Sequence, residues 1–304
     1  MSSKSISFYT LAMAAFFSVA IFSSYTDEER QNTDSKGEPF LPQKVAAVDL
    51  DRPFDFAGEA LPMDNFDVRE RLDAQLLRNA YYHSSTVMNI KRAQRFFERI
   101  ENILAEHDLP SDLKYLAVAE SSLTNAISPS GAKGIWQFMT GTGKDYGLEI
   151  NKEVDERYHF EKATHAACKF LKNKKNKFGS WTLAAAAYNM GARGLSNEMA
   201  AQKMDNYYDL NLNRETGAYV FRIVALKELM TNPEAFGFYI EEEDKYQPLE
   251  FVNVKVEESI PNLGDFAKSH GISYRMLKVY NPWLISSKLT VSKGNSYMVK
   301  IPKM

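Results

Sequence analysis

A carboxyl sits where a helix should present an apolar side chain. The stretch Pro110-Ser111-Asp112-Leu113-Lys114-Tyr115-Leu116-Ala117-Val118-Ala119-Glu120-Ser121-Ser122 opens on helix-start residues, with Asp112 suited to the positive end of the dipole. Leu113, Leu116, Ala117 and Glu120 then follow the i, i+3, i+4, i+7 spacing of one helix face. Packing such a face strips water from Glu120, which disfavours its charged form and raises its pKa. A carboxylic acid held neutral is able to donate a proton. A helix-end Glu turned to solvent, or satisfied by backbone amides, has the same spacing, so the helix alone leaves both readings open.

Three further clusters carry chemistry. Ser128-Pro129-Ser130-Gly131 is turn chemistry, and it leads through Gly134, where backbone is free to pass close to a neighbour, into Trp136-Gln137-Phe138-Met139. Gln137 offers an amide; Trp136 and Met139 offer apolar surface. Ala184-Ala185-Ala186-Ala187-Tyr188-Asn189-Met190-Gly191 reads as a small-residue helix that can approach another closely and stops at Gly191. Glu215-Thr216-Gly217-Ala218-Tyr219-Val220 follows.

In this order the motifs resemble the catalytic domain of the soluble-type lytic transglycosylases, whose fold is that of goose-type lysozyme. The likeness covers roughly residues 95 to 230: Glu-Ser, then Gly-x-x-Gly-Ile-Trp-Gln-x-Met, then Ala-Tyr-Asn-x-Gly, then Glu-Thr-x-x-Tyr-Val. The resemblance implies that Glu120 is the catalytic acid, acting on peptidoglycan glycan strands. It implies that Ser128 orients the acid and that Gln137, Met139, Tyr188, Asn189 and Tyr219 bind the sugar. Read from the residues alone, Ser128 forms a turn, Met139 and Tyr188 pack in a core, and Asn189 caps a helix. Trp136 either stacks on sugar or fills the core.

Glycosidic cleavage needs an acid to protonate the leaving oxygen as positive charge grows on the ring. Most glycosidases add a second carboxylate at about 5 Å or about 6.5–9.5 Å. Asp112 is near in sequence but stands in no recognisable motif, and Asp155-Glu156-Arg157 reads as a salt-bridged helix approach. A lone acid is what the family resemblance implies: the same Glu then acts as base on the C6 hydroxyl of N-acetylmuramic acid, closing a 1,6-anhydro ring. A hydrolytic muramidase and a non-catalytic peptidoglycan-binding scaffold are the alternatives.

Other signals carry less. Gly141-Thr142-Gly143-Lys144 lacks the remaining residues of a phosphate loop. Lys172 to Lys177 reads as the solvated end of a helix, with attraction to anionic envelope as the alternative. The five histidines are scattered in sequence without metal-ligand spacing, so neither a metal nor a cofactor is implied. A net charge of −2 argues against nucleic acid as a partner. The single cysteine, Cys168, excludes an internal disulfide and sits where a small buried hydrophobe belongs.

The elements that must position these residues follow from pattern. Residues 1–24 read as a signal peptide or N-terminal anchor, with Lys4 ahead of an apolar run and without a lipoprotein cysteine. Export to the periplasm or cell envelope follows, with membrane anchoring through this segment if it stays uncleaved. Residues 25–65, with Pro39, Pro42, Pro53 and Pro62, read as a polar linker. Residues 66–240 form a helical lysozyme-like domain. Residues 249–304 read as strand, two helices and strand: Phe251 to Val256, Ile260 to His270, Ser273 to Tyr280, and Ser296 to Pro302. That order resembles a LysM module, departing from it at Glu257-Glu258-Ser259-Ile260. The expected fold class is α+β, mainly helical with a small β-α-α-β domain.

Overall fold

The computed structural model describes residues 47–303. The expected signal segment and the first part of the linker therefore lie outside the described residues. Residues 48–303 lie in one compact unit.

The chain enters through a two-residue hairpin, β1 (Asp55–Phe56) and β2 (Glu59–Ala60). Here the structure departs from the expected linker. Phe54, Phe56 and Leu61 are buried in the helical core, and Arg52 pairs with Glu228 at 2.6 Å. Glu59 accepts hydrogen bonds from Trp181 N at 2.6 Å and Thr182 N at 3.0 Å. These three apolar side chains stand among prolines and charges with no period, which is why residues 48–65 read as unpacked.

The helical domain runs through α1 (Phe66–Tyr81), α2 (His83–Glu106), α3 (Lys114–Ser121), α4 (Thr140–Asp145), α5 (Phe160–Phe178), α6 (Trp181–Met190), α7 (Ala192–Gln202) and α8 (Arg214–Thr231). Helix α8 is the central one. Tyr219, Val220, Phe221, Ile223, Val224, Ala225 and Leu229 are fully buried, so it is apolar on nearly every face, as a core helix must be. It packs against α1, α3 and α6. Ala184 to Ala187 of α6 are all buried, and their small side chains permit the close approach that the sequence implied. Helix α3 begins after a 3-10 turn at Ser111–Leu113. Asp112 in that turn binds Lys227 Nζ at 2.7 Å and accepts from Ala57 N at 2.9 Å, so it anchors α8 and the hairpin.

The C-terminal strands β3 (Phe251–Val256) and β4 (Tyr297–Pro302) pair antiparallel, Phe251 opposite Pro302 and Val254 opposite Val299. Between them lie α9 (Leu263–Ser269) and α10 (Tyr274–Tyr280). Helix α9 starts later than the sequence pattern implied, because Pro261 precedes Asn262, whose side chain caps it. Ile260 instead bridges to Leu289. Asn281, fully buried, accepts from Lys300 N at 2.8 Å and donates to Lys300 O at 2.7 Å, stitching α10 to β4.

This small domain packs directly on the helical one. Val154 is part of its apolar core, beside Leu263, Leu277, Trp283 and Leu289. Asp155 N donates to Trp283 O at 2.9 Å, Ile285 N to Glu153 O at 2.9 Å, and Lys300 pairs with Glu161 at 2.7 Å. Burial, with Arg99 close by, lowers the Lys300 pKa to about 7. Among the described residues no helix is long and apolar enough to cross a membrane.

Candidate active site

Helix α3 presents Glu120 one residue before its end, and the chain then turns abruptly. Ser122 and Leu123 both hold left-handed backbone, with φ of 53° and 57°. Such conformations cost about 1–3 kcal/mol each for residues with a Cβ and persist only where surroundings enforce them. Here Arg92 Nη1 donates to Ser122 O at 3.2 Å, and Ser121 Oγ donates to Ile135 O at 2.8 Å. Ser121 thereby ties the end of the acid-bearing helix to the loop that carries Gln137. The sequence offered no separate signal for that bond.

Glu120 is partly buried, and Tyr219 donates its hydroxyl to Glu120 Oε1. Burial pushes the carboxyl pKa up; the Tyr219 bond and the charge of Arg222 pull it down, and the Glu215 carboxylate pushes it up again, leaving a net rise. The expected lift by desolvation is therefore present, moderated by a donor that the sequence placed only as a groove tyrosine. Tyr219 itself is fully buried, and burial together with the Glu120 charge holds its phenol well above its ordinary range. It stays a proton donor.

Tyr188 belongs to the same cluster: Glu120 lies close enough to raise its pKa, after burial. Its hydroxyl donates to Trp136 O at 2.6 Å, so it braces the loop backbone. Asn189 is not a helix cap. Its Nδ2 donates to Glu215 Oε1 at 3.0 Å, and its Oδ1 accepts from Thr216 Oγ1 at 2.7 Å, joining α6 to α8. Gly191 performs the capping instead.

The loop 126–139 is held by an interlocked set of contacts. Gln137 adopts φ of 49°, and its Nε2 donates to Ala126 O at 3.0 Å and Gly134 O at 2.7 Å. That spends the donor end of the amide on the loop and leaves Oε1 free among the described residues. Met139 is 46% exposed, which rules out the core role weighed for it. Trp136 is fully buried with Nε1 donating to Thr164 Oγ1 at 2.9 Å, so it is a core residue and not a sugar platform. Ser128 differs from what the resemblance implied. Its hydroxyl contacts Ser130 Oγ at 2.9 Å and accepts from Ala132 N at 3.0 Å, closing its own turn rather than bonding Glu120.

Behind the loop lies a network that reads as an ordinary ion-paired stretch in the sequence. Asp155, Glu156 and Arg157 are all buried. Arg157 holds Asp155 through two bonds, of 2.9 Å and 2.7 Å, and donates to Gly131 O at 3.2 Å and Phe138 O at 3.3 Å. Gly134 passes so close that an added Cβ would stand 1.9 Å from Arg157 O.

Asp112 is bound by Lys227; Glu215 is exposed, with one oxygen held by Asn189. Cys168 is fully buried, and burial pushes its thiol up to about 12, so it is inert. Two histidines that are far apart in sequence do meet: His107 Nε2 and His165 Nδ1 are 3.0 Å apart. Among the described residues no group of three or more His, Cys, Asp or Glu is placed to hold a metal ion.

The site is thus a desolvated carboxyl at a helix end, bonded by a tyrosine from a central buried helix. Residues 99–222 match the Transglycosylase SLT domain, and residues 252–304 match the Soluble lytic transglycosylase C-terminal LysM-like domain. The chain thus carries the domain of the lytic transglycosylase enzymes, followed by its LysM-like companion. It is 30% identical over 257 residues to Membrane-bound lytic murein transglycosylase D of Escherichia coli, which covers 82% of this chain and 55% of that one. A Putative tributyltin chloride resistance protein of an Alteromonas species is 29% identical over 127 residues, 40% of this chain and 61% of its own. The solved structure of a lytic transglycosylase Slt from Pseudomonas aeruginosa is 17% identical with a TM-score of 0.37, covering 49% of this chain and 26% of that one. The chain spans about half the length of the Escherichia coli relative.

Proposed function

We propose that this chain cleaves the glycosidic bond between N-acetylmuramic acid and N-acetylglucosamine in peptidoglycan, leaving a 1,6-anhydro-muramic end. The observation that carries the reading is Glu120 itself: a carboxyl lifted by burial, held by Tyr219, with Asp112 committed to Lys227. Glu120 gives its proton to the glycosidic oxygen, and the bond to the muramic C1 breaks. The carboxylate so formed keeps its Tyr219 hydrogen bond. It then takes the proton of the C6 hydroxyl as that oxygen bonds to C1, which returns Glu120 to its starting form. Gln137, Met139, Tyr188 and Asn189 are the residues that would line the sugar, with Gln137 Oε1 and exposed Met139 the parts free to touch it. Action at the cell envelope fits the name of the Escherichia coli relative and the apolar N-terminal run, which serves as export signal or anchor.

A hydrolytic muramidase is the second reading, and one observation favours it. Glu215 lies near enough for its charge to act on Glu120, and it is exposed. Digestion of purified sacculi separates the two. Released muropeptides should lack the mass of one water at the muramic end; ordinary reducing ends would mean that water attacks instead.

Tyr219→Phe removes the donor while keeping the ring. A hydrogen bond to a charged group is worth about 1.5–3 kcal/mol, so the turnover rate should fall by roughly tenfold to a hundredfold. Unchanged turnover of soluble glycan strands by the folded variant would remove Tyr219 from the mechanism.

A further inference from the structure

One face of helix α8 carries a stripe of residues that reaches Glu120. Glu215, Ala218, Tyr219 and Arg222 fall at i, i+3, i+4 and i+7, one face of the helix. Tyr219 reaches Glu120, and Arg222 places its guanidinium carbon 5.3 Å from the centre of the Tyr219 ring. Arg222 lies over that ring and, among the described residues, forms no ion pair with a carboxylate. Its Nε is buried and without a hydrogen-bond partner. Arg222 is half-buried, and a cation without a paired carboxylate is less neutralised locally than a paired one. The group it acts on is the Glu120 carboxyl, which feels Arg222 as a lowering influence and Glu215 as a raising one.

We propose that Arg222 is a positioning residue for this site: it grips the Tyr219 ring from one side and serves as the standing counter-charge to Glu120 when that carboxyl is ionised. The proposal rests on the acid-then-base reading above, which asks one carboxyl to give up a proton and then take another. Burial alone would favour the neutral form so strongly that the first half of the cycle would stall. A neighbouring cation held off at ring distance tolerates the anion without forming a salt bridge that would lock it. Glu215, at the other end of the stripe, sets the opposing limit. The remaining groups against Glu120 are Tyr219 and Tyr188, both held neutral.

The test reads Glu120 directly. Carboxyl carbon NMR of the full chain labelled at glutamate follows each titration, with the Glu120 signal identified by its absence from Glu120→Gln. In Arg222→Gln the Glu120 midpoint should move to higher pH; in Arg222→Lys it should stay near the wild-type position, and in Glu215→Gln it should move lower. On soluble glycan strands, Arg222→Gln should lower kcat more than it raises KM and carry the alkaline limb of the pH profile upward. If Arg222→Gln does not fold, Arg222→Met keeps the packing of the stem and serves the same comparison. A Glu120 titration that overlays the wild type in the neutral variants overturns the proposal, as does an equal shift in Arg222→Lys. Absence of anhydro products from the wild type would sink the transglycosylase reading while leaving the titration result to stand or fall by itself.

Discussion

Glu120→Gln is expected to cut glycan cleavage by about a hundredfold or more, the contribution of a positioned general acid and base. The amide keeps the size of the side chain and can still accept the Tyr219 hydroxyl, so the fold should persist. Mass spectrometry of sacculus digests gives the rate; retained activity would mean that Glu120 is not the acid. A stability change of definite sign accompanies it. The folded-state pKa of Glu120 is raised, so the wild-type group contributes stability that is fully present below its unfolded pKa. That contribution is lost as pH rises through the folded value. Glutamine does not titrate. The variant should therefore gain on the wild type as pH rises from acid to neutral, measured by urea unfolding at pH values on both sides of the carboxyl range. A variant that loses ground to the wild type as pH rises would show that Tyr219 and Arg222 stabilise the carboxylate by more than burial costs it.

Gly134→Ala is the second large effect, and it leaves the acid untouched. The new Cβ would meet Arg157 O at 1.9 Å, and Gly134 holds φ of 81°. Neither side can retreat cheaply, since Arg157 is fixed by Asp155 and itself holds the carbonyls of Gly131 and Phe138. Overpacking and left-handed backbone together should cost about 2–5 kcal/mol. The loop bearing Gln137 moves with it, and a displacement of about 1 Å near reacting groups costs roughly a hundredfold in rate. Gly131→Ala is the matched control: its φ of 86° imposes the backbone penalty, but no atom lies within 4 Å of the added carbon. Calorimetry of both variants, with activity measured below each melting temperature, separates the clash from the backbone term. Equal losses would mean that the contact with Arg157 gives way.

What the chain reveals before folding is local and periodic. Glu120 is visible because it interrupts an apolar stripe, Cys168 because it continues one, and the C-terminal strand-helix-helix-strand because two periods alternate within about fifty residues. What stayed hidden depends on partners distant in the chain. Phe54 and Phe56 bury against helices that begin later and carry no periodic signal of their own. Ser128 sits in the expected motif, yet its hydroxyl is taken by the nearest backbone amide, a competition that spacing does not reveal. Asp155-Glu156-Arg157 looks like a salt-bridged helix approach until Gly131, Gly134 and Phe138 are brought against it. Arg222 is legible only once Tyr219 is known to reach Glu120, because a basic residue on a helix is usually a surface residue.

The junction between the two domains has a consequence for how the protein meets a polymer. A binding module on a flexible tether samples a volume set by tether length, and its contribution is an effective concentration averaged over that volume. The LysM-like domain has no such freedom, because Val154 is one of its own core side chains and Asp155, which pins Arg157, is hydrogen-bonded to Trp283. A glycan strand held by that domain would stand at one distance and one angle from Glu120. Such a domain would work as a ruler, not a leash.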